Sequence, residues 1–186
     1  MSRTTAVHID LAAISENIRS LRGSLAAHRF MAVVKADAFG HGAVRVAQHI
    51  EFIVDALAVA FTEEAVALRE AGVNSPLLIL EGPHTASDLA LAGKLNLWPV
   101  LHSDEQIEWC KTLGADLSQA WIKIDTGMHR LGFIAERYAG IRDTLLSYGI
   151  GEITAMSHLA SAEEPDNALI RAQLQSWEET VLGGQD

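Results

Sequence analysis

The spacing of apolar and polar positions along this chain changes period repeatedly. Short apolar runs at Met31–Val34, Ala56–Ala60, Pro76–Leu80, Leu97–Val100, Trp121–Ile124 and Ile153–Met156 read as strands, and stretches of helical periodicity separate them. Thr5 to Ile9 reads as a further short strand. Behind it, Asp10 suits a helix N-cap, with Ile9 and Ile14 placed for a hydrophobic staple. Ile14, Ile18, Leu21 and Leu25 then follow at helical spacing. Thr62 is expected to cap another helix, with Glu63 and Glu64 favouring its dipole and Gly72 ending it. Ser103-Asp-Glu-Gln106 has the form of a capping box. An apolar stripe of Ile107, Cys110 and Leu113 follows it, and Gly114 is expected at the C′ position. Ile170, Leu174, Trp177 and Val181 stripe the final helix.

Alternating short strands and helices predict a parallel sheet with right-handed crossovers. Two architectures compete, a doubly wound open sheet and a (β/α)8 barrel. The glycine-rich phosphate turns of nucleotide-binding open sheets, GxGxxG and GxxxxGKS/T, do not occur in the sequence. Barrel enzymes instead gather their chemistry from the carboxyl ends of several strands. Here Lys35 follows Met31–Val34, Arg130 follows Trp121–Ile124, and His158 follows Ile153–Met156. Parallel strands would carry these three groups to one pocket. A whole barrel takes roughly 200 residues or more, so the expected fold is an incomplete TIM-type barrel of about six β/α units in 186 residues.

Composition narrows the function classes. Half the residues are hydrophobic and a fifth charged, which fits one globular domain with a real core. A net charge of −10 argues against nucleic acid or an anionic membrane as a partner, so an anionic ligand needs a local cationic site. Cys110 is the only cysteine, and the eight histidines show no HxxxH or HExxH spacing, so neither a disulfide framework nor a metal site is expected. No apolar run reaches membrane-spanning length and no signal-peptide pattern opens the sequence, which makes a reducing cytoplasm the default expectation.

Lys35 is the first chemical candidate. A lysine at the mouth of a buried strand is desolvated, and a neutral amine forms Schiff bases with carbonyl compounds or pyridoxal phosphate. Taken singly, each candidate also has an ordinary structural reading. Lys35 could be a solvated rim charge, Arg130 a surface ion-pair residue, His158 a structural histidine, and Lys123 a barrel-lining partner of Asp125. Asp37 could simply cap the loop, and His129 could simply face solvent.

Two longer stretches change the weighting. Ala32-Val-Val-Lys35-Ala-Asp-Ala-Phe-Gly-His-Gly42 and Lys123-Ile-Asp-Thr-Gly-Met-His-Arg130-Leu-Gly132 both resemble signatures of the alanine racemases, the fold-type III enzymes that use pyridoxal 5′-phosphate (PLP). Ile9-Asp-Leu and the following helix with Asn17 resemble the opening of that family, and Ser157-His158 resembles a later active-site strand. The resemblance runs along the whole chain. It implies residues 11–186 as part of the PLP-binding barrel, and residues 1–10 as a strand that pairs with a β-rich C-terminal domain absent here. It also implies a head-to-tail homodimer in the full-length family, with an amino acid as substrate and D-alanine for peptidoglycan as product. In site terms it implies that Lys35 carries PLP and serves as base on one face of the α-carbon. Arg130 would bridge the cofactor's phenolic oxygen and the substrate carboxylate, Lys123 would orient Arg130 in carbamylated form, and His158 would support the cofactor.

The sequence departs from that pattern in two respects. Phe39 stands where the family usually has a tyrosine whose hydroxyl reaches the cofactor phosphate; a neutral hydrogen bond is worth about 1 kcal/mol net, and one to a charged acceptor more. The opposite-face base and most of the phosphate cup would lie beyond residue 186, and Tyr138 and Tyr148, on an expected barrel helix, are poor substitutes. Two open sheet edges would also result. The expectation is therefore a racemase portion with little or no turnover by itself. The rival readings are a non-catalytic PLP-binding barrel, a degenerate domain without cofactor, and an amino-acid racemase of broader specificity.

Overall fold

The computed structural model describes residues 5–25, 27–164 and 166–183, the side chain of Leu182 excepted. Six strands follow one another in chain order in the sheet: β1 (Met31–Val33), β2 (Ala56–Val59), β3 (Leu77–Ile79), β4 (Trp98–Leu101), β5 (Ala120–Lys123) and β6 (Ile153–Met156). The intervening helices are α1 (Leu11–Ser24), α2 (Lys35–Gly40), α3 (Ala43–Ile50), α4 (Thr62–Glu70), α5 (Ala86–Lys94), α6 (Asp104–Leu113), α7 (Tyr138–Ser147) and α8 (Ala168–Trp177). This is the β/α order of an incomplete TIM-type barrel. All six expected strands are present with ends shifted by at most a residue or so. The chain divides into two compact units, Met1–Leu78 and Ile79–Asp186.

In the first unit β1 and β2 pair in parallel, Met31 opposite Ala56 and Val33 opposite Ala58. All four residues of β2 are buried, as a strand covered on both faces requires. Ile18, Val46, Ile50, Ala65 and Leu68 bring α1, α3 and α4 into this core. Asp10 caps α1 as expected, its carboxylate accepting the Ala13 N–H at 3.0 Å. Of the α1 stripe only Ile18 is buried; Leu21 and Leu25 stay exposed. The helix α4 starts differently from its sequence reading. Thr62 is its first residue, not its cap, and the Thr62 hydroxyl is buried without a partner among the described residues. The Glu64 carboxylate takes over the capping, accepting the N–H groups of Ala60 at 2.7 Å and Phe61 at 3.2 Å. Gly72 does end the helix, at φ +87°, with the Val73 N–H returning to the Leu68 carbonyl. Residues 5–10 show no strand, because a strand exists only through a paired neighbour and this segment is almost wholly exposed, Val7 included. Residues 1–4 lie outside the described residues.

In the second unit β5 pairs in parallel with β4 and with β6, Lys123 lying opposite Met156. Leu97, Leu101, Ile122, Ile124 and Leu145 are fully buried. Cys110 is buried with them, and burial pushes its thiol up to about 12, so it stays protonated and inert at neutral pH. The capping box at α6 is rearranged. The Ser103 hydroxyl accepts the Gln106 N–H, but the Gln106 side chain reaches past Ser103 to accept the His102 N–H at 2.7 Å and donate to the Pro83 carbonyl at 2.9 Å. Gly114 keeps right-handed dihedrals and is no C′ glycine; a Cβ there would lie 3.2 Å from Tyr148 Cβ, so packing sets the residue type. The final stripe buries Ile170 but leaves Leu174 exposed. β6 is only half-buried throughout, in contrast to β2.

Candidate active site

In the first unit the chain leaves β1 still tied to its neighbour, the Val34 N–H donating to the Ala58 carbonyl at 2.8 Å. Lys35 comes next, half-buried, and among the described residues it makes no hydrogen bond or ion pair. The backbone then changes hand. Ala36, Asp37, Ala38 and Phe39 all have φ between +51° and +56°, so α2 is a turn of left-handed helix. Left-handed dihedrals cost roughly 1–2 kcal/mol for each residue with a Cβ, so other contacts must hold them. The Ala36 N–H donates to Glu64 Oε1 at 2.7 Å, and the Ala43 N–H to Asp37 Oδ1 at 2.7 Å. The Gly42 N–H donates to the Asp37 carbonyl at 2.9 Å, and His41 Nδ1 lies 2.9 Å from the Ala38 carbonyl, which assigns the ring proton to that nitrogen. Gly40 and Gly42 are required for their positive φ, +82° and +88°, since nothing lies within 4 Å of a Cβ built on either. Asp37 thus caps the loop as its ordinary reading supposed. Phe39 is 65% exposed.

In the second unit Lys123 is the last residue of β5 and is buried. The loop 125–132 that follows is closed at its base: the Phe133 N–H donates to the Lys123 carbonyl at 2.9 Å, and the Asp125 N–H to the Phe133 carbonyl at 2.8 Å. Gly132 makes this closure possible, for a Cβ there would lie 2.8 Å from the Asp125 nitrogen. Asp125 holds the loop from inside, one oxygen accepting the N–H groups of Gly127 and His129, the other meeting His129 Nδ1 at 3.1 Å. Burial pushes the Asp125 carboxyl up, but these bonds from His129 and Gly127 outweigh it and hold the group below its ordinary value. His129 itself is exposed, at φ +57°. Arg130 projects from the loop, exposed and without a hydrogen bond or ion pair among the described residues. An uncommitted guanidinium offers two parallel donors to a carboxylate.

His158 follows β6 and is exposed. The buried Gln173 of α8 holds its backbone in place, Nε2 donating to the His158 carbonyl at 2.9 Å and Oε1 accepting the Ala160 N–H at 3.0 Å. Thr126 Oγ1 lies 2.8 Å from Ser157 Oγ, and Ser157 Oγ donates to the Ile124 carbonyl at 2.9 Å. Because the single Ser157 proton is used on Ile124, Thr126 donates to Ser157, and the loop after β5 is bound to the loop after β6. Lys123, Asp125, Arg130, Ser157 and His158 line one narrow cleft. Three of the sequence candidates, Lys123, Arg130 and His158, therefore share a site in this unit. Lys35 and Phe39 stand together in the other unit. Tyr138 is buried on α7, its ring 6.0 Å from the Arg142 guanidinium, and Tyr148 closes that helix; neither is at a strand's carboxyl end.

Sequence reading missed the roles of Glu64 and Gln173. Glu64 looked like one more acid in a first helical turn. Gln173 falls three residues after Ile170, so a polar residue on the core-facing stripe was the available signal. Taken by itself, the half-buried Lys35 amine of the first unit suits an aldehyde such as that of PLP, and the Arg130 guanidinium of the second unit, taken by itself, suits an anionic group; both are uncommitted among the described residues.

Comparison with known proteins places this geometry. Residues 9–184 match the family described as alanine racemase, N-terminal domain. An alanine racemase of Xylella fastidiosa (strain 9a5c) is 43% identical over 183 residues, covering 94% of this chain and 49% of that protein. A catabolic alanine racemase of Pseudomonas putida is 42% identical over 177 residues, with coverage of 94% and 49%. Among solved structures, the biosynthetic alanine racemase of Pseudomonas aeruginosa superposes with a TM-score of 0.84 at 38% identity, over 96% of this chain and 50% of that one. The alanine racemase of Bacillus anthracis with bound L-Ala-P gives a TM-score of 0.85 at 28% identity, over 100% and 50%. The chain spans about half the length of the relatives it matches.

Proposed function

Because the chain belongs to the alanine racemase N-terminal domain family, we propose that it supplies the cofactor-lysine portion of a PLP-dependent racemase that interconverts L- and D-alanine. The observation that carries this reading is Lys35, an amine half-buried at the end of β1 and uncommitted to any acid among the described residues. When bound, PLP supplies the electron sink that makes the α-proton of an amino acid removable. Lys35 Nζ would hold the cofactor and would move a proton on one face of the α-carbon. Arg130 would hold the substrate carboxylate and help hold the cofactor through its paired N–H donors. Lys123, buried beneath the same cleft, orients Arg130, and His158 supports the cofactor from the end of β6. Phe39 offers its ring without a hydroxyl.

Several finer points belong to the same proposal. The protein works in the cytoplasm, as a homodimer whose full-length subunit pairs residues 1–10 with a β-rich domain, and its D-alanine serves peptidoglycan. The relative named biosynthetic, from P. aeruginosa, favours that use; the relative named catabolic, from P. putida, supports the second reading, alanine consumption. Residues 1–186 by themselves do not turn over, because a planar carbanion needs an acid–base group on both faces. Lys35 serves one face, and Tyr138 is buried on a helix.

Borohydride treatment of the purified chain with PLP tests the reading. Mass spectrometry is expected to find the reduced pyridoxyl group on Lys35, with no racemisation of L-alanine by the same sample. Label on other lysines at equal yield would refute the assignment, and turnover by residues 1–186 would refute the two-base argument. Binding without turnover that persists when the chain is joined to the second half of the P. aeruginosa enzyme would favour a non-catalytic PLP-binding barrel. Turnover of other amino acids in that joined protein would favour broader specificity.

A further inference from the structure

We infer that Glu64 is the positioning residue for Lys35, an inference that rests on the proposal that Lys35 carries PLP. Its carboxylate is a bracket between two elements of the first unit. One oxygen accepts the N–H of Ala36, the residue directly after Lys35, at 2.7 Å. The other accepts the N–H groups of Ala60 and Phe61, at 2.7 and 3.2 Å, where β2 gives way to α4. A glutamate that only capped α4 would need the Phe61 bond alone. The bond to Ala36 spans 28 residues of sequence and adds nothing to the helix.

Its position explains what it does. Ala36 is the first of four consecutive left-handed residues, and none of the four is glycine. Without an acceptor in the right place, Ala36 would relax to right-handed dihedrals, and the direction in which Lys35 leaves β1 would change with it. β2 is wholly buried and Ala65 and Leu68 are buried on α4, so the bracket ties the residue after the lysine to the core of its unit. Both carboxylate oxygens must act as acceptors. Glutamine has one acceptor and one donor in the same shape, and must lose one side of the bracket.

The test uses the full 186-residue chain, PLP as the probe, and the PLP concentration that half-saturates trapping on Lys35. The amine condenses with the aldehyde to an imine and water, and borohydride reduces the imine to a stable secondary amine. Glu64→Ala is expected to raise the half-saturating concentration tenfold or more and to speed exchange of the Ala36 amide by a similar factor. Glu63→Ala, in the same turn and without such bonds, is expected to leave both unchanged. The double variant Phe61→Ser/Glu64→Ala restores a capping hydroxyl to α4 but not the bond to Ala36. Half-saturation that stays raised in the double variant supports the inference, and recovery to the wild-type value overturns it, since Glu64 would then act through the helix alone. Unchanged trapping in Glu64→Ala also overturns it. If the wild-type chain shows no PLP on Lys35, the cofactor reading fails, and the inference with it; a wild type labelled on Lys35 with an indifferent Glu64 fails the inference alone.

Discussion

The turn that follows Lys35 and the loop that carries Arg130 solve the same problem by different means. Each is an irregular backbone segment at the carboxyl end of a strand, and each is held by a carboxylate that accepts main-chain N–H groups. After β1 the carboxylate is borrowed from another element, Glu64 reaching Ala36 across 28 positions. After β5 it is local, Asp125 accepting from Gly127 and His129 within its own loop. The first device holds a strained, left-handed path and fixes the backbone beside a single amine. The second leaves Arg130 exposed on a loop closed at its base by Gly132 and Phe133. Under the proposed function, a lysine that meets an aldehyde would benefit from a held origin, and an arginine that binds a carboxylate could reach it from a longer loop.

Substitutions can break this contrast at each end. Gly132→Ala is expected to have the largest effect, destabilising the second unit by about 3 kcal/mol or more, because its Cβ would strike backbone atoms of Asp125 and Lys123 at a φ of +127°. Urea unfolding measures this. Glu64→Ala, which removes a charge-assisted bond from Ala36, is expected to weaken the Lys35 turn by about 1.5–3 kcal/mol. Hydrogen exchange should show that loss at Ala36 and not at Gly127. Gly40→Ala sharpens the comparison, since φ is +82° but the space is open, so a cost of only about 1 kcal/mol is expected in the same unfolding assay. Phe39→Tyr is expected to tighten PLP about fivefold or more, since a hydrogen bond is worth about 1 kcal/mol net and more to a charged acceptor such as a phosphate, read from the trapping curve. If the Phe39→Tyr variant leaves the curve unmoved, the hydroxyl's absence at this position is without consequence for the cofactor.

The smallest expected effect is one of pH. The folded-state value of Asp125 lies below its ordinary one, so its contribution is present above the ordinary carboxylate range and is lost as pH falls through the depressed folded value. The amides of Gly127 and His129 should therefore lose protection only in that acid range. Loss of protection well above that range would show that something other than the carboxylate holds the loop.

Much of this was legible from residue patterns. Six apolar runs located six strands, because short apolar runs between stretches of helical period read as strands; β2 and β3 are buried throughout, whereas β1 and β6 are only partly so. Lys35, Arg130 and His158 were legible as groups at strand ends, and the two long motifs around Lys35 and Lys123 carried the family. Legibility failed where a partner distant in sequence decided the outcome. Thr62 looked like a cap, yet Glu64 displaced it; Gly114 looked like a left-handed terminator, yet its neighbour Tyr148 explains it.

The sequence by itself therefore determined the order of elements, the strand ends at which chemistry sits and the family, since period, glycine placement and local motifs are properties of neighbouring residues. Tertiary structure alone decided the hand of the turn after Lys35, the use of Glu64 to hold it, and the hydroxyl chain from Thr126 through Ser157 to Ile124. No local rule places four consecutive non-glycine residues in left-handed dihedrals, because locally that path is unfavourable. It exists because acceptors held by other parts of the fold offset the strain.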